Sequence, residues 1–107
     1  MEPHVQSQID DIVTHVVNAV PTRAIYLFGS YAKGTSRAES DIDLYVLTDN
    51  AKRPMDYLRE INRTIRSVRR MPVDILVMPY QMFQERAALV PTLEHRVLKE
   101  GVRLYEQ

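Results

Sequence analysis

The sequence predicts an α/β fold: a single small mixed β-sheet with helices packed against it. Three observations carry that expectation. Apolar runs rich in β-branched and aromatic residues recur at about 24–28, 41–48 and 72–78, each of strand length. Around and between them, apolar residues fall at helical spacing instead. No repeat, low-complexity tract or linker interrupts the 107 residues, so one domain over residues 1–107 is expected, in which helices interleave with strands.

Taken in order, Val5, Ile9, Ile12, Val13, Val16, Val17 and Val20 make the stripe of a first helix. It should end before Pro21, because the residue preceding a proline disfavours helical geometry. Strand one follows at about 24–28, and a short helix begins at about Ser30. The loop 34–40 then leads to strand two at about 41–48, which Thr48-Asp49-Asn50 closes with turn residues. Pro54 suits a first helical position, and Met55, Leu58, Ile61, Ile65 and Val68 form the apolar stripe of the next helix. Strand three is placed at about 72–78 and reads as a strand interior. Pro79 suits another helix start, with Met82 and Phe83 facing inward. A last helix at about 91–100 stops at Gly101, and Val102-Arg103-Leu104-Tyr105 reads as a closing strand. The strand order cannot be read from the pattern.

The chemistry is concentrated in two places. Gly29 and Ser30 end the first apolar run, where a small-residue turn lets backbone N–H groups approach a phosphate closely. Beyond Ser30 the chain reads Ser40-Asp41-Ile42-Asp43. Side chains of a strand alternate between faces, so Asp41 and Asp43 share one face and Ile42 and Leu44 the other. Two adjacent carboxylates repel, which favours either a shared proton or a bound cation, and oxygen ligands of this kind suit Mg²⁺ with nucleotide phosphates. Asp74 is the only charge in the third strand and should face a partner, since an unpaired buried charge is costly. If strands two and three are neighbours, three carboxylates converge on one patch, as a two-metal phosphoryl-transfer site requires. Singly, a Gly-Ser turn, an Asp-x-Asp pair or a lone strand Asp is unremarkable. In this order, each on a strand or strand end, they point to a site.

The string Phe28-Gly29-Ser30-Tyr31-Ala32-Lys33-Gly34, followed by Ser40-Asp41-Ile42-Asp43-Leu44 and by Asp74, resembles the signature of the DNA polymerase β nucleotidyltransferase superfamily, and within it the minimal nucleotidyltransferase (MNT) branch. The tail from His95 to Glu106 is also similar to the usual end of such domains. The resemblance implies a polymerase-β-like fold, a nucleotidyltransferase activity with ATP as substrate, and two Mg²⁺ ions held by Asp41, Asp43 and Asp74 as the catalytic and metal-binding residues. Gly29 and Ser30 would bind the nucleotide. Lys33 is either a phosphate contact or a solvated helical lysine, and Ser40 either caps strand two or contacts nucleotide. Many MNT proteins are antitoxins paired with HEPN-domain toxins, and some transfer AMP to a tyrosine of the toxin. A hetero-oligomer with a HEPN-type toxin, neutralised by adenylylation, is therefore the expectation. Alternatives are a binding antitoxin that occludes its partner, and the catalytic subunit of an antibiotic adenylyltransferase.

Composition sets limits that agree with this. A formal charge of +0 gives no broad attraction to nucleic acid or anionic membrane, so no direct nucleic-acid partner is expected. There is no cysteine, hence no disulfide or thiolate metal site, which suits a reducing cytoplasm. No apolar run approaches a membrane span, and residues 1–4 lack the features of a signal peptide, so a cytoplasmic location is expected. His4, His15 and His95 lack metal-ligand spacing. Arg59, Arg63, Arg66, Arg69 and Arg70 give a basic face whose default reading is a solvated surface, with an acidic partner or triphosphate as the functional alternative. Tyr31, Tyr57 and Tyr80 are read as core or rim residues, and Met55, Met71, Met78 and Met82 as core filler.

Overall fold

The computed structural model describes all 107 residues. Its elements run α1 (Pro3–Ala19), β1 (Thr22–Phe28), α2 (Ser30–Lys33), β2 (Ile42–Thr48), α3 (Pro54–Ile65), β3 (Val73–Pro79), α4 (Tyr80–Ala87), α5 (Leu93–Glu100) and β4 (Val102–Glu106). The four strands form one sheet in the order β3-β2-β1-β4. β1 is antiparallel to both β2 and β4, whereas β2 and β3 are parallel and joined through α3. The result is a mixed α/β architecture, one four-stranded sheet with helices packed against it. No helix is long and apolar enough to cross a membrane.

The alternation of side chains along β1 and β2 divides the interior into two cores. On one face Ile25, Leu27, Ile42, Leu44 and Val46 pack against Val5, Ile9, Ile12 and Val16 of α1 and Tyr57, Ile61 and Ile65 of α3. On the other, Ala24, Tyr26, Tyr45 and Leu47 meet Phe83 and Ala87 of α4 and Val97 of α5. Aromatic contacts order this second core: Tyr45 lies edge-on to Phe83 at 5.1 Å between centroids, and Tyr26 stacks on Phe83 at 5.9 Å.

Several elements differ from the sequence reading. β1 begins at Thr22, because Thr22 pairs with Thr48 across a bulge that the apolar pattern does not mark. β2 begins at Ile42, leaving Asp41 just before the strand. β3 is an edge strand, so Asp74 is exposed, and no buried charge needs explaining there. α5 begins at Leu93, where the Thr92 hydroxyl accepts the His95 N–H at 3.1 Å as its N-cap. Pro79 ends β3 and caps α4 rather than starting the helix. Met55 and Met82 point to solvent, and the fully buried residue of the first turn of α3 is Tyr57, whose hydroxyl donates to Asp49.

Two buried polar groups lock the helices to the sheet, and neither is visible as a hydrophobic pattern. Gln8 is fully buried in α1, where its amide donates to the Val68 carbonyl at 2.9 Å and accepts the N–H groups of Arg70 and Met71. It thereby closes the turn between α3 and β3 and holds the start of β3 in place. Glu94 of α5 is buried, accepting from the Tyr45 hydroxyl at 2.7 Å and from Arg86 Nε at 2.9 Å. Burial alone would raise its carboxyl pKa, but the hydrogen bonds from Tyr45 and Arg86 outweigh it and hold the group below the usual range.

Gln8→Leu leaves those backbone groups unpaired and is expected to cost about 1–3 kcal/mol in chemical denaturation. Because the folded Glu94 pKa lies below the unfolded one, its stabilisation is present at neutral pH and lost as pH falls through the folded value. Glu94→Gln should therefore unfold more readily than wild type near pH 7 and lose less of its melting temperature on acidification.

Candidate active site

The site forms where three strand ends meet. β1 and β2 pair so that Phe28 lies opposite Asp43, and β2 and β3 pair so that Asp43 lies opposite Asp74. In a parallel pair, residues in register point to the same face, so both carboxylates lie on the face that carries Tyr45 and Leu47. The second core covers the middle of that face and stops short of this end. Asp41, two residues before Asp43, is exposed beside it.

Gly29 closes the arrangement from the β1 side. Its φ of 76° and ψ of −154° are backbone angles open to glycine alone. A Cβ on Gly29 would lie 2.2 Å from Asp43 Oδ2, so a residue with a side chain is excluded by space as well as by conformation. The backbone turn therefore lies directly against the Asp43 carboxylate. Ser30 begins α2, a single four-residue turn that Gly34 ends in the left-handed conformation. So short a helix has little macrodipole, and its capacity for phosphate rests on first-turn N–H groups that lack an i−4 carbonyl.

The electrostatics follow from this crowding. Burial, then Asp74, then Asp41 raise the Asp43 carboxyl above its ordinary pKa. As the side chains stand, the three carboxylates do not close into a ready cation cage. Their chemistry nevertheless fits one: three hard oxygen donors, two of them in register on adjacent strands, with the Asp43 anion penalised by burial and by the other two. The two other nucleotide-binding candidates are placed differently. Lys33 forms no ion pair and lines a cleft between α2 and α5 together with Gly29. The Ser40 hydroxyl accepts the Arg37 N–H at 2.7 Å and so closes the loop that delivers Asp41 to the sheet. Sequence reasoning missed Arg96 of α5, which lines the Lys33 cleft and only the tertiary fold brings there. His15 and His95 each bond a backbone carbonyl through Nδ1.

A glycine turn against a carboxylate, with further carboxylates alongside and a mixed sheet beneath, is an arrangement that suits a nucleotidyltransferase. The model of the family described as polymerase beta, nucleotidyltransferase, matches residues 11–107, and the chain belongs to that family. No curated protein matches it. Among solved structures, a protein of Sulfolobus solfataricus named provisionally as a nucleotidyltransferase is similar, at 22% identity and a TM-score of 0.64 over 100% of this chain and 90% of that one. A toxin–antitoxin complex with AMP-PNP is similar at 21% identity and TM-score 0.55, over 92% of this chain and 73% of that one. So is the Shewanella oneidensis complex of a tri-AMPylated HEPN toxin with its MNT antitoxin, at 19% identity and TM-score 0.53 over 95% and 72%. At these identities the likeness is one of fold.

The raised Asp43 pKa means that the ionised group costs stability, so stability falls as pH rises through the folded pKa. Asp43→Asn removes that cost. Without divalent cations at neutral pH it should melt at or above the wild-type temperature, and added Mg²⁺ should raise the melting temperature of the wild type alone. A variant that melts well below wild type would show Asp43 to be a structural residue.

Proposed function

We propose that the protein is a Mg²⁺-dependent nucleotidyltransferase antitoxin that transfers AMP from ATP to a tyrosine hydroxyl of a HEPN-type toxin and so neutralises it. The observation that carries the catalytic half is the register of Asp43 with Asp74 beside the Gly29 turn. The partner half is supported by fold similarity to antitoxins solved with HEPN toxins, one of them tri-AMPylated, and to a toxin–antitoxin complex holding AMP-PNP.

Asp41, Asp43 and Asp74 would hold the divalent cations. When bound, these supply charge neutralisation on the α-phosphate and acidify the acceptor hydroxyl. The backbone N–H groups of Gly29 and Ser30, with the Ser30 hydroxyl, orient the terminal phosphates so that the α-phosphorus faces the carboxylates. Lys33, free of any ion pair, offsets charge on the departing pyrophosphate. Ser40 serves the site by positioning Asp41. Asp74 stands on the edge strand, the side open to an acceptor, and takes the hydroxyl proton. The acceptor oxygen forms the new bond to the α-phosphorus, the bond from that phosphorus to the bridging oxygen breaks, and pyrophosphate leaves with the electron pair.

The test uses the protein together with the product of the neighbouring gene, Mg²⁺ and ATP labelled on the α-phosphate. Label is expected on a tyrosine of the partner, and an Asp41→Ala/Asp43→Ala variant should lower transfer by about a thousandfold or more while its melting temperature stays near wild type. A variant that suppresses the partner as well as wild type does, with no label transferred by either, would make this a binding antitoxin. Label on an aminoglycoside or another small hydroxyl compound would point to antibiotic modification.

A further inference from the structure

On the outer side of Asp74, away from the Gly29 turn, the molecule concentrates positive charge. Arg63, Arg66, Arg69 and Arg70 fall within eight residues, and no acidic residue occurs between Glu60 and Asp74, although the whole chain is formally neutral. Arg59 pairs with Asp56 and Arg70 with Asp11, but Arg63, Arg66 and Arg69 have no ion-pair partner. Arg66 and Arg69 are exposed and line, with Asn62 of α3, a groove of about 450 Å³ along β3 that includes Asp74. A second groove of about 490 Å³ continues past Arg69 and again includes Asp74. Asp74 is the only acidic residue lining either groove. β3 is the last strand on this side of the sheet, so its outer backbone groups are open.

We infer that this Arg66–Arg69 groove is the docking site for an acidic, extended peptide segment of the acceptor protein, which delivers the hydroxyl to Asp74. The inference rests on the transfer reading for the identity of what is delivered; the groove itself rests on charge and position. An extended segment can bond to the open edge of β3, and its carboxylates can take the planar guanidinium groups in two-point hydrogen bonds. A nucleic acid fits less well. Polyanion binding draws on many phosphate contacts and a broad positive field, and here the charge is confined to a few arginines in a neutral chain. The location is also the functional one. An acceptor entering along the β3 edge reaches Asp74 from the side of the sheet away from the Gly29 turn, which follows β1 on the far side of β2.

Docking is tested without nucleotide, so that it stands or falls apart from transfer. Isotope-labelled protein is titrated with a synthetic peptide holding one tyrosine flanked by glutamates, with its lysine-flanked counterpart, and with a single-stranded oligonucleotide, while amide resonances are followed. The acidic peptide should shift the amides of Arg66, Arg69 and Asp74, lose affinity as salt rises, and bind about tenfold more weakly to Arg66→Glu/Arg69→Glu. Both side chains are exposed, so that variant should keep wild-type stability and Mg²⁺-ATP binding. Absence of these shifts, equal binding of the lysine peptide, stronger binding of the oligonucleotide at the same amides, or unchanged affinity in the variant would each overturn the inference. An acidic peptide seated in the groove of a protein that transfers no AMP would leave the groove standing and remove the transfer reading.

Discussion

The parallel pairing of β2 with β3 is the constraint on which the rest depends. A slip of one residue would turn Asp74 to the α3 face and bring Val73 or Ile75 opposite Asp43. The register is held from below by the first core, where Ile42 lies opposite Val73 and Leu44 opposite Ile75 over α1 and α3. It is held at its entry by Gln8, which bonds three backbone groups of the turn leading into β3. The apolar packing of one face therefore fixes the carboxylate spacing on the other.

That geometry works against stability where function is expected. The Asp43 carboxylate sits half-buried beside two other carboxylates and against the backbone of Gly29, an arrangement whose anionic form is disfavoured by burial and by both neighbours. Elsewhere in the same layer, polar groups are satisfied. Glu94 is buried with two donors, and no buried side-chain nitrogen or oxygen lacks a partner. The carboxylate crowding that raises the Asp43 pKa thus falls at the strand ends, where a cation and a polyphosphate would relieve it.

Much of this was legible in the sequence because it follows local rules. The apolar stripes of α1 and α3, the strand runs, the glycine turn and the Asp-x-Asp spacing all depend on neighbours within a few residues. What could not be read depends on tertiary placement. That β3 is an edge strand, and Asp74 exposed, follows from a strand order that periodicity does not encode. Met55 and Met82 looked like core residues because methionine is apolar, yet each is exposed; Tyr57 is the buried residue beside Met55, while Phe83 is buried as expected. The burial of Gln8 and Glu94 is made tolerable only by partners distant in the chain, which no local pattern marks. The cleft that joins Lys33 to Arg96 was hidden for the same reason.

Asp41, Asp43 and Asp74 would form one cation site served by the Gly29-Ser30 turn. The most direct test is a crystal grown with Mn²⁺ and a non-hydrolysable ATP analogue, with the cations located by anomalous scattering. Anomalous peaks ligated by Asp43 together with Asp41 or Asp74 are expected, with phosphate oxygens on the backbone N–H groups of Gly29 and Ser30. Mn²⁺ absent from the three carboxylates, or a triphosphate bound away from the turn, would contradict it.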